Sequence, residues 1–335
     1  MAHATPPPTV KVAILAFETF ASIPITGPMD ILNKSCALWT AATGAGPTFD
    51  IELVSLAPAP LRFGDAVTLH PNATIATARK PDLVLIPSAG DDVLESLNRL
   101  RDFVPWIRAC ASQGARVVSL CTGAFLLAES GLLDGRAATT HWYFADLFRR
   151  TYPNVDVHPE RLIIDEGSVI TSGAATSFLD LALYLIELYG GHDAAVLTAK
   201  VLLIEMGRYT QLPYTIFSAQ KMHGDRQILR SQQFIEANGH RALTIAHLAK
   251  RAGMNVRTFD RRFRAAVGET PSAYVQKLRV EKAKRLLENS RHTIDDIASR
   301  VGYEDGRSFR RLFKTLTDLS PQAYRQKYGP QRSLR

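Results

Sequence analysis

The fold of the last third of this chain is decided by the stretch IAHLAKRAGMNVRTFDRRFRAAVGETPSAY, residues 245–274. It returns in altered form as IDDIASRVGYEDGRSFRRLFKTLTDLSPQAY, residues 294–324. The two stretches match at an offset of 49 as far as Gly253 and Gly302, and at an offset of 50 beyond them. Two copies are too few for a solenoid, so the repeat indicates one small unit that has been duplicated.

Each copy predicts a helix, a tight turn and a second helix. In the first copy the first helix covers 244–252, and Gly253 ends it in a left-handed conformation that glycine adopts at little cost. Asn255 is a suitable N-cap for the helix that follows. Phe259 and Phe263, one turn apart, are expected to face the interior. The second copy repeats this pattern with a first helix at 293–301, a turn at Gly302, a second helix at 305–316, and Phe309 and Phe313 inward.

The second helix of each copy carries a pair of arginines at i, i+4 spacing, which places both on one face. Helix-turn-helix proteins insert this helix into the major groove and read bases with its N-terminal residues. Arginine suits that role because its planar fork can donate two hydrogen bonds to guanine. The residues expected to read bases are Arg257, Arg261, Arg307 and Arg311. Those expected to contact phosphates are Asn255, Arg262, Arg264, Arg310 and Lys314.

Acidic Asp260 lies beside this face, and we expect it to pair with a neighbouring arginine rather than to accept from a cytosine amino group. A helix over 271–288 joins the copies. At 1.5 Å per residue it spans about 27 Å, which would allow the reading helices to reach successive major grooves about 34 Å apart.

The charge of the chain is divided unevenly along its length. The net charge of +8 consists of −5 in residues 1–224 and +13 in residues 225–335. A basic domain joined to a mildly acidic one indicates a polyanionic partner for the basic part. Together with the repeated helix-turn-helix pattern, this makes double-stranded DNA the expected partner of the last third.

The repeat resembles the AraC/XylS DNA-binding domain over residues 227–329. The resemblance rests on the A-x-x-x-G turn, the F-x-x-x-x-G-x-x-P exit, the A-x-x-L-L of the linking helix and the final S-P-x-x-Y-R. It implies that the positions of Arg257, Arg261, Arg307 and Arg311 face bases, and that the protein contacts RNA polymerase at promoters.

The first two thirds predict a different architecture. Apolar runs at 10–17, 81–87 and 116–120 are typical of buried parallel strands, and helical patterns at 28–42 and 92–113 lie between them. This alternation predicts a doubly wound α/β domain with a flavodoxin-like parallel sheet, followed by the all-α domain. Further along we expect short strands at 154–172 and helices at 175–189 and 193–206. The expected domains are a disordered lead-in at 1–9, a sensor and dimerisation domain at 10–206, a linker at 207–226, the DNA-binding domain at 227–329 and a tail at 330–335.

The segment VVSLCTGA, 117–124, runs from a buried strand through small residues into an apolar helix. This is the layout of a nucleophile elbow with Cys121 at its tip. A cysteine at a helix N-terminus lies close to free N–H groups, which favour the thiolate. A small buried cysteine without chemistry is the alternative.

The segments AILAFETFASIPITGPMDIL, LVLIPSAGDD, VVSLCTGAFLLAESGLLDGRAATTHW and VITSGAATSFLDLALYLIE resemble the ThiJ/PfpI family over about 10–205. Fused to an AraC-type domain, this arrangement is similar to the GlxA-like regulators. Enzymes of the family place a histidine after the elbow cysteine and a carboxylate at the first strand–helix turn. Here those positions hold Thr122 and Pro24, so Cys121 has no obvious base.

We therefore expect no enzymatic activity and no catalytic residue, but a pocket for a small effector. Its expected lining is Cys121, Thr122, His141, Gly90 and Gly27. Two alternatives stay open, namely a cysteine amidase or hydratase-like enzyme and a thiol redox sensor.

Composition excludes several other classes. Three cysteines are too few and too scattered for a disulfide framework or a zinc site. No apolar run reaches the roughly 18 residues that a membrane span requires, and residues 1–8 do not read as a secretory signal. A cytoplasmic homodimer without metal or cofactor is the expected form.

Overall fold

The computed structural model of the protein describes residues 9–19, 21–44, 48–217, 219, 221, 223–239 and 243–330. The chain divides into two compact units between Gln211 and Leu212. Thr9, expected in the lead-in, begins the first strand. Residues 1–8 of that lead-in and 331–335 of the expected tail lie outside the described residues.

The first unit combines one large sheet with helices on both faces. Its strands are β1 Thr9–Leu15, β2 Thr48–Ser55, β3 Leu61–Phe63, β4 Val67–Leu69, β5 Ala73–Thr74, β6 Leu83–Ile86, β7 Arg116–Leu120, β8 Ala137–Ala138, β9 Asp156–Val157, β10 Ile163–Asp165 and β11 Val169–Ser172. Its α-helices are α1 Ile23–Thr43, α2 Val93–Leu100, α3 Phe103–Ser112, α4 Gly123–Glu129, α5 Ala145–Thr151, α6 Phe178–Gly190 and α7 His192–Leu202.

The large sheet has the strand order β10-β11-β7-β6-β1-β2-β5. Neighbouring strands pair in parallel except for β10, which is antiparallel to β11. The order reverses at β1, which lies between β2 and β6. In such sheets the carboxyl ends of the strands beside the reversal form the usual ligand crevice. The doubly wound α/β class expected from the apolar runs is confirmed.

Alternation along the strands divides the core into two layers. Ala13 and Leu15 of β1 pack with the residues of α2, α3 and α4, whereas Val12 and Ile14 pack with those of α1, α6 and α7. Successive side chains of a strand point to opposite faces, so a strand covered on both sides must be apolar throughout.

Several helix boundaries differ from the expected ones, including the start of α6 at Phe178 instead of 175. The helix expected over 92–113 is two helices, because Pro105 falls in the first turn of α3, where its missing N–H breaks no helical hydrogen bond. α1 begins at Ile23 instead of 28, with Pro24 in its first turn. α7 ends at Leu202, before the expected 206, because Leu203 adopts a left-handed φ of 54°.

The second unit consists of helices. They are α8 Arg226–Asn238, α9 Ile245–Arg251, α10 Val256–Val267, α11 Pro271–Asn289, α12 Ile294–Arg300, α13 Gly306–Thr317 and α14 Pro321–Tyr328. Two separate apolar clusters lie at either end of α11, one built around α9 and α10 and the other around α12 and α13. Among the described residues of the whole chain, no helix is long and apolar enough to cross a membrane.

Candidate nucleic-acid interface and cysteine elbow

The first helix-turn-helix is formed by α9 and α10. Gly253 joins them at a φ of 68°. The side chain of Asn255 caps α10, where its Oδ1 accepts a hydrogen bond of 2.8 Å from the N–H of Thr258. The cap fixes the start of α10 and therefore the direction in which its first turn presents side chains.

The second helix-turn-helix, α12 and α13, repeats this geometry. Gly302 joins the helices at a φ of 96°. The carboxylate of Asp305 caps α13 by accepting from the N–H groups of Arg307 at 3.0 Å and Ser308 at 2.9 Å. Sequence reasoning missed Asp305, although it lies 50 residues after Asn255 and shares its position in the repeat.

Capping by Asp305 has a proton-linked consequence. Its hydrogen bonds with Ser308 and Arg307 lower the pKa of Asp305 to about 2. The folded pKa lies below the unfolded value of about 3.9, so this contribution to stability is complete above roughly pH 4 and is lost as the pH falls toward 2. We expect the difference in unfolding free energy between the wild type and Asp305→Asn to shrink over that window in chemical denaturation.

Asn255 provides the matched control, because an amide cap does not titrate. Asn255→Asp is expected to introduce the same acid dependence into the first copy. A wild-type advantage over Asp305→Asn that stays constant from pH 5 to pH 2 would contradict the role assigned to the Asp305 carboxylate.

Each copy packs its reading helix, α10 or α13, on its own aromatic core, and the two cores have the same geometry. Phe259 and Phe263 pack at 5.7 Å between ring centroids, and Phe309 and Phe313 do the same at 5.7 Å. All four rings are fully buried, as expected from their spacing. In each copy a tyrosine packs on the second phenylalanine and donates to a glutamate. These pairs are Tyr274 with Glu236 at 2.8 Å and Tyr324 with Glu288 at 2.7 Å.

The four arginines expected to read bases are all exposed on α10 and α13. In the described part of the chain, no hydrogen bond or ion pair holds the guanidinium groups of Arg257, Arg261, Arg307 or Arg311. A concavity of about 270 Å³ is lined by Arg257, Thr258, Asp260 and Arg261. The first two turns of α10 thus present two unpaired arginine forks next to a hydroxyl and a carboxylate.

Most of the residues expected on phosphates have partners within the protein. Arg262 binds Asp225 through Nε at 2.9 Å and Nη2 at 2.8 Å, and donates to Gln227 at 2.7 Å. The hydrogen bonds from the Arg262 guanidinium lower the pKa of Asp225. Because Asp225 is the N-cap of α8, this pair connects α10 to the start of α8. A two-bond arginine–carboxylate pair is among the stronger polar contacts, so phosphate contact by Arg262 would require this pair to open.

The other ion pairs on the reading helices are exposed and weaker. Arg310 donates to Asp295 at 2.6 Å, and Arg264 donates to Asp260 at 2.9 Å, the pairing expected for Asp260. Exposed pairs contribute about 0–1 kcal/mol, so phosphates can compete for both arginines. Lys314 is exposed, and no partner for its ammonium occurs among the described residues.

The cysteine elbow forms between β7 and α4. Cys121 has a φ of 57°, a left-handed conformation that non-glycine residues adopt at a cost of about 1–3 kcal/mol. Gly123 is required two residues later, because a Cβ there would lie 2.5 Å from the carbonyl oxygen of Pro87. The strained strand–turn–helix predicted from VVSLCTGA is therefore present.

Thr122 closes the space beside the cysteine. Its hydroxyl lies 2.9 Å from Ser88 Oγ, accepts from the N–H of Ala89 at 3.0 Å and donates to the carbonyl of Gly90 at 3.1 Å. The enzymes of the family place a catalytic histidine at this position of the chain. Here Thr122 occupies the position, and its buried hydroxyl forms hydrogen bonds with polar groups of the turn at 88–90.

Burial makes Cys121 a poor nucleophile. Its side chain is 4% exposed, and desolvation raises the pKa of the thiol to about 11, against the smaller lowering effect of Ser88 and Thr122. The thiolate-favouring environment expected from the helix N-terminus is thus wrong, because the loss of water outweighs the N–H groups of the seven-residue α4.

His141 lies half-buried close to the elbow. The preceding Thr140 donates to the carbonyl of Cys121 at 2.9 Å, and His141 Nδ1 accepts from the N–H of Tyr143 at 3.1 Å. Burial lowers the pKa of His141. The neutral ring therefore positions its own loop, and no hydrogen bond between it and the thiol occurs among the described residues.

The expected pocket residues are only partly brought together. Cys121, Thr122 and Gly90 share one network, and His141 adjoins it through Thr140. Gly27 instead faces the ring of Phe178, where a Cβ would meet ring carbon atoms at 2.6 Å. The turn at Ser88–Gly90 was expected near this pocket, and the structure makes Ser88 the partner of Thr122. Sequence reasoning missed Gln211 as a partner of the 139–142 segment, because Gln211 has no periodic or motif signal.

Alkylation of Cys121 is expected to be slow. At pH 7.5 a thiol of pKa 11 is thiolate to about 0.03%, roughly 300-fold less than a free thiol of pKa about 8.5. The measurement is mass-spectrometric labelling of the native protein with iodoacetamide, with Cys121→Ser to assign the signal and half-buried Cys36 as the internal control. Labelling of Cys121 faster than Cys36 would show that the thiol is activated.

Comparison with known proteins agrees with both halves of this geometry. A model of the DJ-1/PfpI family matches residues 10–188, and a model of a helix-turn-helix domain matches residues 248–327. The chain is 29% identical over 263 residues to the HTH-type transcriptional regulator CdhR of Pseudomonas aeruginosa, which covers 78% of this chain and 77% of that protein.

The first unit also has an enzymatic relative. An isonitrile hydratase of Pseudomonas putida is 30% identical over 190 residues, covering 56% of this chain and 75% of the hydratase. Among solved structures, a candidate transcriptional regulator from Vibrio parahaemolyticus superposes with a TM-score of 0.52 at 26% identity, covering 58% of this chain and 100% of that one. The chain therefore belongs to the DJ-1/PfpI family and, through its second unit, to the GlxA-like transcription regulators that join this domain to an AraC-type helix-turn-helix domain.

Proposed function

We propose that this protein regulates transcription by binding promoter DNA with both helix-turn-helix motifs at once. One observation carries the proposal: two reading helices, each fixed by a side-chain cap and an aromatic core, present an unpaired pair of arginines at the same turn. Arg257 and Arg261 would read one half-site, and Arg307 and Arg311 the other. Lys314 would add a phosphate contact, as would Arg264 and Arg310 once they leave their exposed pairs with Asp260 and Asp295.

The first unit is proposed to sense a small molecule without transforming it. The elbow region is the natural crevice of this fold, and Cys121, Thr122, His141 and Gly90 adjoin one another there. A raised thiol pKa and a hydroxyl in place of the histidine support binding over catalysis. Gly27 faces the ring of Phe178 and is left out of this proposed lining.

Three further parts of the proposal follow from DNA reading. A regulator that acts at promoters works in the cytoplasm beside RNA polymerase, which it would contact. Homodimerisation through the first unit would double the number of half-sites read. Sedimentation at micromolar concentration tests this part, and a species of only 36.9 kDa would count against it.

The test of the regulator role is selection of genomic DNA fragments by the purified full-length protein, repeated with Arg257→Ala plus Arg311→Ala. We expect the wild type to enrich a motif with paired half-sites and the variant to lose it. Enrichment of bulk DNA alone, with or without metabolite extract added, would overturn the proposal.

A hydratase-like activity of the first unit is the second candidate function, favoured by the isonitrile hydratase relative. The observations against it are the buried thiol of Cys121 and Thr122 in place of a base. Incubation of the protein with an alkyl isonitrile separates the two candidates, because a hydratase forms the N-substituted formamide. Turnover that is lost in Cys121→Ser would favour the enzyme.

A redox sensor would require an accessible thiolate, so the same burial counts against it. Peroxide treatment followed by a DNA-binding assay tests it, with Cys121→Ser as the control. Oxidation that changes the affinity of the wild type and leaves that of Cys121→Ser unchanged would favour the sensor.

A further inference from the structure

The six residues Leu212–Phe217, here called the strap, directly follow the boundary of the first unit and pack on the second unit. The turn at Leu212–Tyr214 contacts α13. Tyr214 accepts a hydrogen bond from Lys327 Nζ at 2.8 Å, and its ring lies 6.3 Å from that of Tyr328. The first half of the strap is thereby fastened to the second helix-turn-helix.

A buried ion pair on α11 fastens the other half of the strap. Glu281 and Lys284 are 9% and 4% exposed and lie 3.0 Å apart. Lys284 donates to the carbonyl oxygen of Thr215, and Glu281 Oε2 accepts from the N–H of Phe217 at 3.1 Å. Buried charges need such additional partners to offset the loss of water, and here the strap backbone supplies them.

The strap therefore contacts α13 of the second motif and the apolar cluster that underlies the first motif. The ring of Phe217 packs on Tyr274 of the first aromatic core at 5.3 Å, whereas Tyr214 packs on Tyr328 beside the second. Together with α11 it forms a second connection between the two motifs. The separation of the two reading helices must match that of successive major grooves, so this connection bears on DNA reading.

Gln211, the residue before the strap, is anchored to the segment 139–142, here called the 139–142 wall because Thr140 joins it to the cysteine elbow. It is 1% exposed, and its Nε2 donates to the carbonyl oxygens of Thr140 at 2.8 Å and Arg161 at 3.0 Å. Its Oε1 accepts from the N–H of Trp142 at 3.2 Å. Thr140 in turn binds the carbonyl of Cys121, and a Cβ on Gly173 would lie 2.4 Å from the Gln211 side chain, so this side chain fills its site.

We propose that Gln211 and the strap form the coupling element by which the state of the 139–142 wall sets the arrangement of the two reading helices. A ligand that displaces this wall must move or release Gln211. The strap begins at the next peptide bond, so the displacement passes along the chain itself to Tyr214, Thr215 and Phe217. The proposal rests on the sensing role of the first unit and names the path of its regulation.

Hydrogen exchange in the full-length protein, without DNA or effector, tests this coupling directly. Gln211→Met keeps most of the side-chain volume and removes the amide. We expect faster exchange at the Trp142 N–H, which loses its acceptor, and at least tenfold faster exchange at the Phe217 N–H in the strap. Because coupling is reciprocal, Glu281→Leu plus Lys284→Met should accelerate exchange at Trp142 as well as at Phe217.

The matched control is Tyr152→Phe, which removes a partly buried hydrogen bond of 2.7 Å to Glu129 elsewhere in the first unit. It should leave exchange at Phe217 unchanged. Gln211→Asn serves as a second variant if Gln211→Met lowers the melting temperature sharply. Accelerated exchange confined to Trp142 in both Gln211 variants would overturn the proposal.

A second experiment, which measures affinity for DNA, separates this inference from the proposed function. On the selected operator, Glu281→Leu plus Lys284→Met is expected to lose at least tenfold in affinity for DNA with both half-sites and to retain its affinity for a single half-site. Equal losses on both DNAs would contradict a role in spacing. A wild type that binds no specific DNA would instead count against the proposed function, while the exchange result would still decide the coupling.

Discussion

Arg257→Ala combined with Arg261→Ala is expected to remove base selectivity at one half-site and to leave the other half-site intact. Each well-placed arginine fork on guanine contributes about 1–3 kcal/mol of discrimination. Two such losses correspond to roughly 30-fold to 20,000-fold weaker binding of the selected operator. Fluorescence anisotropy with the operator, and with versions scrambled in one half-site, measures the effect at fixed salt.

The same change in the second copy, Arg307→Ala plus Arg311→Ala, should relax the opposite half-site. The matched control, Arg99→Ala plus Arg150→Ala, also removes two exposed positive charges, but from the first unit. It should change operator binding less than threefold. If the α10 variant loses the same factor on operator and on scrambled DNA, its arginines contact phosphates only, and the assignment of base reading is wrong.

Phe263→Ala is expected to cost about 3–5 kcal/mol in the unfolding free energy of the second unit. The ring is fully buried between Phe259 at 5.7 Å and Tyr274 at 5.5 Å. Its removal leaves a cavity directly beneath the reading face of α10. Urea denaturation followed by far-ultraviolet circular dichroism reports this loss, since the regular elements described in the second unit are all helices.

Two comparisons make this result interpretable. Phe313→Ala, the counterpart in the second copy, should cost a similar amount, because its ring packs at 5.7 Å on Phe309 and 5.4 Å on Tyr324. Val256→Ala, half-exposed on the same helix as Phe263, should stay within about 0.5 kcal/mol of wild type. A cost below 1 kcal/mol for Phe263→Ala would mean that this aromatic core does not hold α10.

The helical last third of the molecule was almost fully predictable because its pattern is local and occurs twice. Gly253 and Gly302 mark both turns, Asn255 marks a cap, and the phenylalanine spacing marks the buried face. The duplication supplied an internal check that a single copy lacks. Asp305 occupies the same position of the repeat as Asn255, so the repeat itself carries the signal for this second cap.

The backbone conformation of the cysteine elbow was predictable from the sequence, whereas the reactivity of its thiol was not. The order of strand, small residues and apolar helix indicated the strained turn at Cys121, since such a turn requires glycine at 123 and an apolar strand before it. The pKa of the thiol depends on how deeply the neighbouring layers bury it, which no local pattern encodes. The helix N-terminus favoured the thiolate, and desolvation by those layers favoured the thiol more strongly.

The sequence by itself determined the two architectures, the duplicated reading helices and their arginine pairs, because periodicity, turn residues and charge act over a few neighbouring positions. Only the tertiary structure decided which charges are already paired, such as Arg262 with Asp225 across 37 residues. It also decided that Gln211 binds the 139–142 wall and that Lys284 and Glu281 hold the strap. These contacts join residues distant in sequence, and their strength depends on burial and geometry that exist only once both units have folded.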